Sequence, residues 1–112
     1  MTQLIDEKQV TASTKLINAK NVTIIPNSRA ENCIYTYTTK VDTHYDIKNE
    51  LFYNPLYTFI KTGDVLRIFK YEQDELSTYY EMVIMDVDKI NKKVKVACLT
   101  EKNLKKCIIG KD

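Results

Sequence analysis

Residues 80–99, "YEMVIMDVDKINKKVKVACL", leave a chain few ways to fold. Two alternating runs, 80–87 and 93–99, flank the polar "DKINK" of 88–92, whose Asn91 suits a hairpin loop. If Val83, Met85 and Val87 face Val94, Val96 and Cys98, one side of the hairpin is dry, and Lys93 and Lys95 reach solvent. A slip of one residue would bury both lysines, so the register is strongly specified. The first run is apolar on both sides, which predicts a central strand.

The same period recurs upstream. In "CIYTYTTKV" (33–41), Cys33, Tyr35, Tyr37, Thr39 and Val41 share one face, and Ile34, Thr36, Thr38 and Lys40 the other. In "VLRIFKY" (65–71), Leu66 and Ile68 oppose Val65, Arg67 and Phe69. Between these strands the period becomes helical: Leu56, Phe59 and Ile60 recur at helix spacing, with Leu51 and Phe52 a turn earlier. Asn54 is suited to an N-cap and Pro55 to a first turn, while Gly63 can take the positive φ that ends the run. The spacing therefore predicts one short helical plug at 54–61.

Residues 1–20 hold no sustained period and read as an extended N-terminal arm on a single β domain of 21–112. The arm is expected to lie against a neighbouring subunit or to add a strand to one. The tail, 103–112, reads as a last edge strand or a second contact arm. The expected fold is all-β: a small β-sandwich or partly open β-barrel of about six strands.

Charge and composition narrow the classes of function. With 44% hydrophobic and 29% charged residues the chain is an ordinary globular one rather than a disordered one. A net charge of +2 supplies no strong pull toward nucleic acid or anionic lipid. No apolar run approaches the roughly 20 residues of a membrane-spanning helix, and the first ten residues lack a signal-peptide pattern. Cys33, Cys98 and Cys107 are odd in number without C-x-x-C spacing, which reads as buried, reduced thiols of a protein made in a cytoplasm.

The residue types that carry chemistry are sparse. His44, the single histidine, sits in "DTHYD" between Asp42 and Asp46, as a base oriented by a carboxylate would; a solvated surface turn is the plainer reading. Three scattered cysteines and one histidine do not make a zinc site, and no sequence mark pairs a cysteine with His44. "YEQDEL" (71–76), with Asp86 and Asp88, lacks the spacing and central glycine of a calcium loop and reads as a hairpin turn. No catalytic, cofactor-binding or metal-binding residue is therefore assigned, and the chain is read as no enzyme.

Nucleic-acid binding is the alternative. Tyr35, Tyr37, Tyr57, Phe69, Tyr71, Tyr79 and Tyr80 are candidates for base stacking. Lys89, Lys92, Lys93, Lys95, Lys102, Lys105 and Lys106 make the C-terminal third basic. On the competing reading the tyrosines are core and cross-strand pairs, and the lysines protect exposed edges.

Residues 31–99 resemble a family of uncharacterised structural β-domain proteins of tailed bacteriophages. The resemblance lies in "IYTYTTKVD" (34–42), "FYN" (52–54), "LYTFI" (56–60) and "TGDVLRI" (62–68), followed by "YEMVIMDVD" and "KVKVACL". It implies a virion protein: a capsid decoration, head or connector component, made in the host cytoplasm and working through protein–protein interfaces. Its partners would be other copies of itself or other virion proteins, with a homo-oligomer expected. The alternative is a small β-barrel protein that binds single-stranded nucleic acid.

Overall fold

The computed structural model describes residues 15–25, 32–106 and 109. About half of these lie in strands, and the fold is all-β, as expected. The described strands are five rather than six: β1 (Val22–Ile25), β2 (Ile34–Thr39), β3 (Val65–Glu72), β4 (Glu75–Asp88) and β5 (Lys93–Asn103). They form one open sheet in sequence order. β2 and β3 run parallel, and the other neighbours are antiparallel.

A parallel pair needs a long connection, because the chain must return to the starting end of the sheet. Residues 40–64 make that return and cover one face of the sheet on the way. Phe52, Tyr53, Leu56 and Ile60 from this connection, each no more than 1% exposed, meet Tyr35, Tyr37, Leu66, Ile68, Tyr80, Met82 and Ile84 from the strands. Each fully buried side chain of this size stabilises the fold by about 1.5–3 kcal/mol.

The helical plug is shorter and tighter than expected, a 3-10 helix over Asn54–Thr58. Asn54 does not cap it. Its Oδ1 accepts the Val94 backbone N–H at 3.0 Å instead, docking the segment on β5. "DTHYD" (42–46), expected to be a solvated turn, leads into helix α1 (His44–Lys48). Thr43 and Asp46 close it with a reciprocal capping box: Thr43 Oγ1 accepts the Asp46 N–H, and Asp46 Oδ2 accepts the Thr43 N–H. The clue was the T-x-x-D spacing, in which Asp takes the place usually held by Glu or Gln.

The β4–β5 hairpin forms, with a different dry face. Met82, Ile84 and Val94 are buried, Val83 is half-buried and Met85 is 51% exposed. The pairs are Met82↔Cys98, Ile84↔Val96 and Val87↔Val94, with a register shift between Ile84 and Asp86. The extra residue in that bulge reverses the alternation, so Val87 and Ile84 meet the same face of β5 although their numbers differ in parity. Lys93 and Lys95 are exposed, as expected.

The described part of the expected arm belongs to the domain. Ile17 is 3% exposed, and its N–H donates to Phe52 O at 2.8 Å. Residues 1–14 lie outside the described residues, as do 107–108 and 110–112 of the tail. The tail's described start continues β5 to Asn103 and then makes one 3-10 turn, Leu104–Lys106.

Candidate functional site

The residues weighed for chemistry are engaged with other parts of the fold. Asp42 is 3% exposed and accepts a short hydrogen bond from the Tyr37 hydroxyl, with the Lys15 ammonium 3.0 Å from its other oxygen. Burial, reinforced by the Asp42 carboxylate, pushes the Tyr37 phenol up to about 12. Asp46 is committed to the cap of α1. Neither flanking carboxylate therefore orients His44.

His44 turns instead toward the sheet. Its Nδ1 is 2.6 Å from Tyr80 Oη, and its Nε2 is 3.5 Å from Glu101 Oε2. Glu101 also takes the Lys48 ammonium at 2.5 Å, so two residues of α1 grip one carboxylate of β5. The Lys48 pKa is raised, chiefly by that hydrogen bond. Burial pushes the Tyr80 phenol up to about 12, so near neutrality it is a neutral hydrogen-bonding group rather than a nucleophile. The cluster tethers α1 to β4 and β5. Sequence position joins His44 to Asp42 and Asp46, and only the fold joins it to Tyr80.

Neither Cys33 nor Cys98 meets His44 in a pocket. Of the two strand cysteines expected to be buried, Cys33 is half-buried beside the core, whereas Cys98, near the bulge at Glu81–Met82 on the edge strand, is exposed with its Sγ 3.4 Å from Thr100 O. Cys107 lies outside the described residues. Among the described residues no three of His, Cys, Asp and Glu converge on a common point. An open groove of about 350 Å³ runs beside the β4–β5 hairpin, but its Asp88 is used by its own turn. There it accepts the backbone N–H and the side-chain amide of Asn91 and, more weakly, the N–H of Ile90, which holds its carboxyl below the usual range.

The opposite face of the sheet is different in kind. Ile25, Ile34, Val65, Val83 and Ala97 are aligned across all five strands, and each is half-buried. The next row is Thr23, Thr36, Arg67, Glu81 and Thr100, in which Arg67 Nε lies 3.3 Å from Glu81 Oε2. A third row holds Thr38, Phe69, Tyr79 and Lys102, with the Phe69 and Tyr79 rings 5.2 Å apart and tilted by 47°. Tyr71 and Leu76 extend it past a bulge.

The stacking candidates are thus divided between two surfaces. Tyr35, Tyr37 and Tyr80 are in the core, Tyr57 lies half-buried in the connection, and Phe69, Tyr71 and Tyr79 belong to the face that the described residues leave uncovered. The lysines are divided too. Lys93, Lys95 and Lys102 are on β5, Lys89 and Lys92 in the loop before it, and Lys105 and Lys106 in the turn after it. β5 ends the sheet order, so its lysines lie along an edge.

Among the described residues no helix is long and apolar enough to cross a membrane. Compared with known protein families, characterised proteins and solved structures, the chain matches none.

Proposed function

We propose that the chain is a structural component of a tailed-phage particle, without catalytic activity, serving as a capsid decoration, head or connector protein. The observation that carries this reading is the apolar row that crosses all five strands on the uncovered face. A sheet with its first face filled by a connection and its second face half-apolar is suited to holding another protein. His44, Asp42 and Asp64 support the same reading, because each is occupied in tethering elements of the fold. The resemblance of residues 31–99 supplies the virion setting. Quantitative mass spectrometry of purified virions tests it: a fixed copy number per particle is expected, and absence from virions rejects it.

One observation favours single-stranded nucleic acid as a second reading. Phe69 and Tyr79 share a face with Arg67 and Lys102, as stacking and phosphate-contacting groups would. Fluorescence anisotropy with a labelled single-stranded oligonucleotide at low salt tests it, since binding should fall on Tyr79→Ala.

A further inference from the structure

We propose that the uncovered face packs on the same face of a second copy, so that two five-stranded sheets form the two layers of one sandwich. This rests on reading the chain as an interface protein and names the partner. The first argument is area. Sheet neighbours lie about 4.8 Å apart and same-face residues about 6.8 Å apart, so the four strands β2–β5 and four rows cover about 500 Å² in plan. Two such faces reach about the 1,000 Å² of total area that a specific interface requires.

The second argument is self-complementarity. A two-fold axis along the strands, midway between β3 and β4, sets each row upon itself and exchanges those two strands. Arg67 then opposes Glu81 of the partner subunit, Val65 opposes Val83 of the partner subunit, and Phe69 opposes Tyr79 of the partner subunit. The charged row places opposite signs on β3 and β4, so the same operation that joins apolar to apolar joins cation to anion. A polyanion finds no such match, because Arg67 is already engaged with Glu81.

The edges point the same way. β1 has only four described residues, and β5 carries Lys93, Lys95 and Lys102 along its length, so strand addition at either edge is discouraged.

Sedimentation equilibrium of the full chain tests the proposal. A dimer is expected, with Val83→Lys raising its dissociation constant at least ~30-fold, while Ile90→Lys, in the β4–β5 loop, leaves it unchanged. If Val83→Lys fails to fold, charge exchange decides. Arg67→Glu should weaken the dimer, and adding Glu81→Arg should restore it. A chain that stays monomeric at the highest concentration measured overturns the proposal. So does a dimer indifferent to the Val83 and Arg67 variants, or one lost only on deleting residues 1–14. A monomer whose oligonucleotide binding is abolished by Val83→Lys also overturns it. None of these results bears on virion copy number, so the broader reading is judged separately.

Discussion

The carboxylate of Asp64, fully buried, accepts the backbone N–H of Cys33 at 2.9 Å and that of Lys61 at 2.8 Å. One side chain thereby ties the entry of β2 to the exit of the connection, with Asn32 Nδ2 adding a longer contact at 3.3 Å. The backbone beside it is tied to β4, since Gly63 N–H donates to Ile84 O and Ile84 N–H donates to Asp64 O, both at 2.8 Å. Asp64→Ala removes the acceptor for two backbone donors at once. Urea unfolding should show a loss of about 2–4 kcal/mol, and a loss below about 1 kcal/mol would mean that water replaces the carboxylate without cost.

Gly63 has φ +93°, where a side chain is strained, and an added Cβ would lie 2.8 Å from Asn32 Nδ2. That amide donates to Thr62 O at 3.0 Å and so cannot move freely. Gly63→Ala should lower stability by about 1–2 kcal/mol, and thermal unfolding measures it. An unchanged melting temperature would refute this account of the turn.

Alkaline pH should unfold the protein partly through two phenols. Tyr37 and Tyr80 titrate at about 12 in the folded chain, against 10.0 for an unperturbed tyrosine. Because the folded values are raised, the stabilisation is complete below pH 10 and is lost as pH rises toward 12. Tyr37→Phe should therefore fall less steeply than the parent in a plot of unfolding free energy against pH across that window. Equal slopes would remove Tyr37 from the explanation.

Glu72 acts at the other end of the pH scale. Lys70, which donates to its carboxylate at 2.9 Å, and more weakly Ser77 and Lys105, hold its carboxyl below the ordinary range. A lowered folded value means a contribution present above the unfolded pKa and lost as pH falls through the folded one. Lys70→Met should raise the Glu72 titration midpoint measured by carboxyl carbon NMR, and an unmoved midpoint would show that the pairing is ineffective.

Helix α1 depends on its cap, being only five residues long. Thr43→Ala should cost about 1 kcal/mol and should speed amide exchange at Asp46 and Ile47 before it affects β4. Exchange that rises equally across the sheet would indicate that α1 unfolds only with the whole domain.

Much of the uncovered face was legible residue by residue. Alternation placed Val65, Arg67 and Phe69 opposite Leu66 and Ile68, and Ile34 and Thr36 opposite Tyr35 and Tyr37, as found. What no single strand reveals is which rows these residues join, because register between β2 and β3 is set by the connection between them. The His44–Tyr80 contact was equally hidden, since 36 residues separate its members. The bulge beside Met85 defeated the alternation itself. A strand that changes parity midway has a different dry face from the one a strict period assigns.

Local chemistry was thus decided by the chain alone: where the backbone must turn at Gly63, which stretches alternate, and that Lys93 and Lys95 must stay wet. These depend on steric limits and solvation, which act within a few residues. The parallel β2–β3 pairing, the choice of covered face and the partners of Asp64 and His44 were decided by the tertiary structure. They depend on how the 40–64 segment fills space over the sheet, a condition that no short window of sequence contains.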